Sequence, residues 1–473
     1  MATLVAYQVV LVVIGFLAQR RTRDGEDYFL AGRRLGPIVA AISASASSSS
    51  AWTLLGVSGM AYSSGLSALW LFPACVGGFC LNWFVLAPAL GRVSRERGAL
   101  TVTEVLAGFG TMGQRRHIKL VASILVLLAL LTYVASQFQG AGKAFANTFP
   151  DLDFEAAVLL GSAIVVLYTL LGGFWAASLT DTLQGFVMAA TAVVLPIGVL
   201  AHVGFADFFA RLEAVDVPGY TSLVGPRSGF AAALGFVAGL LGIGLGYPGQ
   251  PHVVNRFMAL REGARELRVA RRVAIGWAVV VYAGMILLGL GARLAFPVLD
   301  DGENAFTTVA NRLFPPMVSG VMVAAVLSAV MSTADSQLLV AASTITSDLG
   351  FSGGSQQKLL AQSRWVVLVL SACAVLAALF VEQKIFDLVL FAWSAMGAAF
   401  GPLLLVVCLR GPVSYRGTLA SMTAGFSLSV GAYVLGKLGF VGAMGLGAWG
   451  GTLERVLPFV VALAIAVSCR KPK

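Results

Sequence analysis

The sequence is poor in charged residues. Asp, Glu, Lys and Arg make up 11% of its 473 residues, whereas soluble globular proteins carry roughly 25%. Hydrophobic residues reach 58% and the mean hydropathy is +0.88, so a chain of this length requires lipid as its surrounding solvent. Its apolar runs last about 20 residues, which fits a spanning helix and not the ~10-residue alternating strands of a membrane barrel. We therefore predict an all-α polytopic membrane protein.

Cysteine and histidine are also scarce. The five cysteines are scattered within apolar runs, which is typical of small buried hydrophobic residues. His117, His202 and His252 lie in different loops or at different span ends, without the spacing of a metalloenzyme motif. We therefore predict no catalytic residues, no bound cofactor and no enzyme activity. The first apolar run is followed by arginines and not by a small-residue cleavage site, so we expect a retained span.

The apolar runs predict about 13 spans within a single transmembrane domain that covers residues 1–473. Their predicted bounds are 2–18, 36–58, 64–90, 118–147, 154–172, 175–202, 228–248, 273–296, 317–347, 365–381, 385–408, 417–436 and 453–469.

Basic residues gather on one side of this topology. With the N-terminus outside, 24 of the 32 Lys and Arg residues fall in inner loops or at the C-terminus, while acidic residues at 151–155 and 300–303 fall outside. This positive-inside pattern predicts a cytoplasmic C-terminus and identifies the positive charge as an orientation signal, so we expect no nucleic-acid partner. Arg256 is assigned to the third inner loop, and we expect no arginine deep within a solute-facing segment. The lack of organelle signals favours a bacterial inner membrane.

The second span contains six serines in Ser43-Ala44-Ser45-Ala46-Ser47-Ser48-Ser49-Ser50. Serine hydroxyls compete with the backbone for hydrogen bonds and loosen a helix. Non-helical backbone within a membrane is tolerated where it lines a cavity, and freed carbonyls with hydroxyls form the oxygen shell that hard cations bind. We therefore predict a broken helix beside a cavity; a packing face of small residues is the alternative.

The ninth span places polar residues on one face. Ser328, Ser332 and Ser336 are spaced i, i+4, i+8, and Thr333 and Asp335 flank them. A carboxylate within a span is a functional hypothesis by default. The alternative is that Asp335 is hydrated at the cytoplasmic mouth.

A third polar point, Thr180-Asp181-Thr182, opens the sixth span. Asp is favoured in helix caps, so an interfacial cap is one interpretation. Considered together with the ninth span, Asp181 becomes a candidate ligand for a second cation.

The seventh span ends in Gly242-Ile243-Gly244-Leu245-Gly246-Tyr247-Pro248-Gly249-Gln250-Pro251-His252. Alternating glycines and two prolines exclude a regular helix. Two broken spans in corresponding halves indicate a midplane binding site in an inverted-repeat transporter. We predict a first repeat at about 36–202 and a second at about 228–408.

Several stretches resemble the sodium/solute symporter family, and within it the sodium/proline symporters. They are Asp27-Tyr28-Phe29-Leu30-Ala31-Gly32-Arg33, the serine-rich span, Leu245 to His252 with Arg256-Phe257-Met258, and Met331-Ser332-Thr333 with Ser336-Gln337-Leu338-Leu339. The similarity runs from about Asp27 to Pro402.

The resemblance implies a LeuT-type five-plus-five inverted repeat with alternating access and sodium as the coupling ion. It implies a sodium site between the second and ninth spans, formed by the carbonyls of Ala46, Ser49 and Ala329 and the hydroxyls of Ser332 and Thr333. Some members have an additional sodium site, matched here by Asp181, Ser332, Asp335 and Ser336. The solute would bind between the broken helices, near Ser45, Ser48, Trp52, Tyr133, Gln137, Ile243 and Tyr247.

Two positions depart from the proline symporters. Those proteins carry Asp where this chain has Ser48, and we suggest that Asp335 offsets the lost charge. They carry Trp where this chain has Ile243, which places proline itself in question. The expected function is sodium-coupled import of proline or a related amino acid or osmolyte across the bilayer, for which a monomer is sufficient. A monocarboxylate or pantothenate-like vitamin symporter, a proton-coupled variant and a solute sensor remain alternatives. Trp70, Trp393 and Phe400 are further candidates for an apolar pocket lining.

Overall fold

The computed structural model describes residues 2–19, 30–108, 110–149, 151–171, 173–348, 356–380 and 384–471. These residues form α-helices that we number in chain order: α1 (Ala2–Gln19), α2 (Pro37–Ser48), α3 (Val57–Ser64), α4 (Leu71–Cys80), α5 (Ala87–Glu96), α6 (Val102–Ala107), α7 (Met112–Ala146), α8 (Phe154–Leu171), α9 (Phe174–Val203), α10 (Phe208–Glu213), α11 (Phe230–Leu241), α12 (Pro251–Ala259), α13 (Ala264–Ala295), α14 (Ala305–Leu313), α15 (Pro316–Ser343), α16 (Gln356–Phe380), α17 (Ile385–Leu409), α18 (Tyr415–Lys437), α19 (Phe440–Ala443) and α20 (Leu457–Ser468).

The described residues contain ten helices that are long and apolar enough to cross a membrane, so the predicted number of about 13 spans is not confirmed. Three shorter apolar helices, at Ala6–Gly15, Pro37–Ser48 and Phe154–Leu167, account for predicted spans at 2–18, 36–58 and 154–172. Helical turns of 3-10 and π type join α3, α4 and α5 into one continuous run, Trp52–Glu96, where the sequence predicted the end of one span and the whole of the next.

Two helices form the centre of the bundle. In the apolar windows of α15 and α17, 78% and 89% of residues are buried, against 22% in α18. Helix α15 packs against α7, α8, α9 and α2, and α17 packs against α7, α18 and the Gly242–Gly249 segment. Outer helices instead expose large apolar side chains such as Phe380 and Trp365, as expected where lipid is the solvent.

The predicted break in the serine-rich span is confirmed. Helix α2 begins at Pro37, whose fixed φ suits the first helical turn, and ends at Ser48. Ser49 has φ −115° and ψ 72°, which is outside the helical region, and a helical segment resumes at Trp52–Gly56. The hydroxyls of Ser45 and Ser48 donate to the carbonyls of Ala41 and Ser45, so they bond their own helix and loosen it.

The predicted break in the glycine- and proline-rich span is also confirmed. Helix α11 ends at Leu241, a tighter 3-10 segment covers Gly242–Gly249, and Gln250 is extended before α12. Glycine is required here by close approach: a Cβ on Gly246 would lie 2.1 Å from Nε1 of Trp393, and one on Gly249 would lie 2.5 Å from the carbonyl oxygen of Met396. Helix α17 therefore packs directly on the backbone of the broken segment.

The two broken spans are joined at the end of the bundle that carries the basic loops. Leu35 and Leu260 form a parallel bridge, with N–H groups of Leu35 and Arg261 donating to Ala259 and Leu35. The motif residues 27–29 lie outside the described residues, whereas Ala31, Gly32 and Arg33 form a left-handed turn. From this turn Arg33 donates to the Ser94 hydroxyl (3.0 Å) and the Ala99 carbonyl (2.7 Å), which fixes the entry to α2.

Candidate solute and cation sites

The break after α2 is supported by α7. The side-chain oxygen of Gln137 accepts a hydrogen bond from the backbone N–H of Ala51 at 3.0 Å, and the Tyr133 hydroxyl donates to Ser50 at 3.5 Å. An N–H freed at a break is costly in lipid unless it is paired, so Gln137 supplies the missing acceptor. The predicted solute role of Gln137 stays a prediction, and the structure places its side-chain oxygen on the backbone of the broken helix.

Four of the five predicted sodium ligands lie together in a buried cluster of oxygen atoms. The Ser332 hydroxyl lies 3.3 Å from the Ala46 carbonyl and 3.4 Å from the Ala329 carbonyl. The neighbouring Thr333 hydroxyl donates to the carbonyl of Ser47 at 3.2 Å. All of these residues are fully buried. Hydroxyl and carbonyl oxygens without a fixed positive charge are the ligand set that a hard cation requires.

Ser49, the fifth predicted ligand, lies at the break itself. Its backbone N–H donates to Ala46 at 3.1 Å, and its buried hydroxyl has no hydrogen-bond partner among the described residues. The break thus leaves a buried hydroxyl oxygen on the residue whose backbone contacts the Ala46 carbonyl. The Ser47 carbonyl also joins the cluster, although it was not among the predicted ligands.

A buried ionic cluster lies one turn farther along α15. Arg256 donates to Oδ2 of Asp181 at 2.9 Å, and it is 1% exposed while Asp181 is fully buried. The same guanidinium donates to the hydroxyls of Ser336 (2.6 Å) and Ser43 (3.1 Å). Ser336 in turn donates to Oδ1 of Asp335, which is 1% exposed. Helices α2, α9, α12 and α15 therefore meet at this cluster.

Arg256 contradicts the sequence prediction. It was assigned to an inner loop, and no arginine was expected deep within a solute-facing segment. The structure continues the broken span through Pro251 into α12, so Arg256 lies on a helix facing the bundle interior. A lone Asp in each of two spans requires a positive partner, and this requirement was the signal available in the sequence.

The cluster contains two carboxylates and one guanidinium. Oδ1 of Asp181 and Oδ2 of Asp335 are buried without a hydrogen-bond partner among the described residues. An uncompensated buried charge is expensive, so this arrangement can accept one additional monovalent cation. A cavity of about 20 Å³, large enough for one water molecule, is lined by Arg256, Ser336, Thr101 and Asn255.

Aromatic side chains surround the region between the two breaks. The hydroxyls of Tyr247 and Tyr282 are 2.9 Å apart, and the ring centroids of Tyr247 and Trp393 are 4.7 Å apart. Trp52 faces Tyr282 at 6.4 Å, and Tyr133 faces Trp393 at the same distance. The predicted residues Trp52, Tyr133 and Tyr247 therefore lie around one aromatic centre.

Trp393, a predicted candidate for an apolar pocket lining, belongs to this centre, as does Tyr282, which was not predicted from the sequence. Trp393 donates its indole N–H to the carbonyl of Ile243 at 3.0 Å and so covers the broken segment. By contrast, Trp70 donates to Leu223 outside the centre. The indole nitrogen of Trp52 is buried without a partner among the described residues, and it is a donor that a solute can use. Ser45 and Ser48 bond their own helix and contribute no free hydroxyl hydrogen.

Comparison with known proteins finds relatives that match most of the chain. The family model described as Sodium:solute symporter family matches residues 28–425. The osmoregulated proline transporter OpuE of Bacillus subtilis is 36% identical, covering 89% of this chain and 85% of its own length. The sodium/proline symporter of Escherichia coli is 35% identical, covering 90% and 86%.

Solved structures show the same fold. A Na⁺-coupled sialic acid symporter in a substrate-bound outward-open state superposes with a TM-score of 0.77 at 18% identity, covering 100% of this chain and 98% of its own. Mhp1, a nucleobase-cation-symport-1 family transporter in a closed conformation, superposes with a TM-score of 0.57 at 14% identity, covering 95% and 96%. The predicted LeuT-type helical fold is thereby confirmed.

Proposed function

The chain belongs to the sodium:solute symporter family, and on this premise we propose that it imports proline or a related amino acid together with sodium by alternating access. The observation that carries the proposal is the oxygen cluster between broken α2 and α15, with aromatic rings in the region between the two helix breaks. The curated relatives named as proline transporters supply the solute class. In the proposed orientation the N-terminus is outside, and the basic loops face the cytoplasm of a bacterial cell.

The coupling sodium is proposed to bind at Ala46, Ser49, Ala329, Ser332 and Thr333. A sodium ion at this site would be bound by carbonyls of broken α2 and hydroxyls of α15 at the same time. The bound ion therefore stabilises one relative position of the two helices. Because α2 also forms a wall of the solute site, the ion and the solute would favour the same arrangement. A ligand shifts an equilibrium only through such differential contacts.

A second cation is proposed to bind at Asp181, Asp335 and Ser336. The support is the charge of the buried cluster, in which Arg256 neutralises only one of two carboxylates. Asp335 then takes the role that the absent carboxylate at Ser48 would have had. Both acids can also carry protons, so proton coupling at this second site is the competing proposal.

The solute is proposed to be a zwitterion. Arg256 forms an ion pair with Asp181, so this buried cation is not available to bind a dianionic solute. The free indole donor of Trp52 and the half-helix ends at the breaks can hold a single carboxylate.

Each chain contains both breaks and the complete cluster, which supports transport by a monomer. The two proposed repeats, 36–202 and 228–408, contribute one break each.

Uptake of radiolabelled proline into proteoliposomes with an inward sodium gradient, challenged with unlabelled solutes, tests the solute class. We expect excess proline to block uptake and dicarboxylates to leave it unchanged. If labelled proline does not enter while a monocarboxylate or pantothenate does, the amino-acid assignment is wrong, and Ile243 marks the changed specificity.

A further inference from the structure

A second ionic cluster lies at the end of the bundle opposite the basic loops. Lys143 of α7 binds Asp301 at 2.7 Å and Glu303 at 2.5 Å. Both acids belong to the segment between α13 and α14, and Glu303 is only 4% exposed. Burial raises the pKa of Asp301, but its hydrogen bond with Lys143 and the neighbouring positive charges outweigh burial and hold that pKa below its usual value. The pair with Lys143 is therefore charged at neutral pH.

Glu303 also binds the first turn of α17. Its carboxylate accepts hydrogen bonds from the backbone N–H groups of Ile385 (3.3 Å) and Phe386 (2.9 Å). The N-cap residue of α17, Lys384, makes no side-chain cap hydrogen bond. A carboxylate is favoured at a helix N-terminus, where it pairs freed N–H groups and meets the positive end of the helix dipole. One carboxylate thus joins α7, α17 and the 301–304 segment.

The capped turn reaches the solute site through Phe386. Its ring lies 5.7 Å from the ring of Trp52, the residue at which the helical segment resumes after the first break. The 301–304 segment itself rests on α3, since a Cβ on Gly59 would lie 2.9 Å from the backbone nitrogen of Glu303. Asn147 at the end of α7 donates to Asn304 at 2.8 Å and holds the same segment. The segment, the α17 turn and the aromatic centre therefore form one continuous packed path.

We propose that Glu303 is a positioning residue that closes the outer side of the solute site by holding the first turn of α17, and with it Phe386, over Trp52. This inference rests on the proposed transport function and orientation. Outward opening then requires Glu303 to leave both Lys143 and the two N–H groups. A solute that contacts Trp52 changes the position of Phe386 and so biases the same closure.

A second, exposed ion pair at the start of α17 offers a comparison with the buried carboxylate of Glu303. Asp387, in the first turn of α17, binds Lys437 of α18 at 3.1 Å, and these side chains are 44% and 47% exposed. An exposed pair contributes little and is screened by salt, whereas a buried carboxylate shared by three elements cannot be lost without consequence. Asp387→Asn is therefore the matched control for Glu303→Gln.

The test measures outward opening of the solute site as the accessibility of position 389. Val389 lies one turn after Ile385 and is 2% exposed. Val389→Cys in a background without native cysteines is reacted with a membrane-impermeant thiol reagent from the outside of proteoliposomes. We expect Glu303→Gln and Lys143→Gln each to speed labelling about tenfold, which corresponds to roughly 1.4 kcal/mol of closure free energy. Their combination should add little to either change, because both remove one coupling. Asp387→Asn should label at the parental rate.

Sodium with proline distinguishes closure from general loosening. Added together, they should slow labelling in the parental protein and in Asp387→Asn, and should slow it much less in Glu303→Gln. A parental labelling rate in Glu303→Gln would overturn the proposal, as would faster labelling that sodium and proline still suppress fully. If parental protein shows no response to sodium with any solute, the transport assignment fails, whereas the unliganded labelling rates still report on Glu303.

Discussion

Arg256→Gln is expected to destabilise the folded protein by about 3–5 kcal/mol, because breaking a buried ion pair leaves uncompensated charge in the interior. Among the described residues, Arg256 is the only positive side chain that binds Asp181, so the change leaves the carboxylates of Asp181 and Asp335 without a cationic partner. Four helices meet at this point, so we expect a cooperative loss and not a local adjustment. Thermal unfolding of the purified protein in detergent, without sodium, measures the effect.

The control for Arg256→Gln is Arg261→Gln, five residues farther along. Arg261 binds Glu266 at 3.0 Å, but its side chain is 59% exposed, so we expect a change below about 1 kcal/mol. Rescue gives a sharper test. Arg256→Gln combined with Asp181→Asn keeps the original net charge of the cluster and should recover most of the lost stability. An Arg256→Gln protein that unfolds at the parental temperature would show that the pair is not buried in the folded state.

The same charge balance predicts the effect of Asp335→Asn. The cluster then contains one carboxylate and one guanidinium, so it no longer needs an additional cation. We expect a stable protein whose second cation is bound at least about tenfold more weakly, in the range known for perturbed metal sites. Sodium titration of proline binding measures this. Unchanged sodium affinity would refute both the second site and the suggestion that Asp335 replaces the charge missing at Ser48.

The second large effect concerns the coupling sodium. Changing Ser332 and Thr333 to Ala removes two hydroxyls that lie 3.2–3.4 Å from carbonyls of broken α2 and of α15. Losing even the partners of metal ligands costs 10–100-fold in affinity, and we expect at least about tenfold for each hydroxyl. The sodium concentration that gives half-maximal uptake should rise accordingly, while unfolding shifts little because Ala suits a helix interior.

Ser328→Ala is the matched control on the same helix. Ser328 lies one turn before Ser332, and its hydroxyl binds Tyr7 of α1 at 2.5 Å and the Ala324 carbonyl at 2.6 Å. The Ser328→Ala change should leave the sodium concentration for half-maximal uptake unchanged. Equal sodium dependence in the Ser332/Thr333 variant and in Ser328→Ala would contradict the assignment of the coupling site.

The two helix breaks could be predicted from sequence because their causes are local. Consecutive serines compete for backbone hydrogen bonds in α2, and glycine with proline excludes a helix at Gly242–Gly249. The sodium-site residues were predicted through resemblance to a known family. The spacing of Ser328, Ser332 and Ser336 indicated one shared face, but it did not show that each hydroxyl has a different partner.

The remaining features depend on tertiary packing. Arg256 lies on a helix only because α12 continues past Pro251, and its partners come from helices far away in sequence. Gln137 pairs with the backbone N–H of Ala51, which is free only because the helix is broken. Trp393 contacts Ile243 from α17. Glu303 was seen as one residue of an acidic loop, since its burial depends on the folding of three elements. The number of spans depends on helix length in the folded protein, and the apolar helices at Ala6–Gly15, Pro37–Ser48 and Phe154–Leu167 are shorter than the predicted spans.

The central claim is that sodium binding in this chain drives uptake of a small zwitterion. Proteoliposomes loaded without sodium are given labelled proline under an inward sodium gradient or under an inward proton gradient at equal sodium. We predict accumulation above equilibrium with the sodium gradient only, abolished when the gradient is dissipated. Accumulation on the proton gradient alone would contradict the sodium assignment to Ser332 and Thr333 and would make Asp335 the proton carrier.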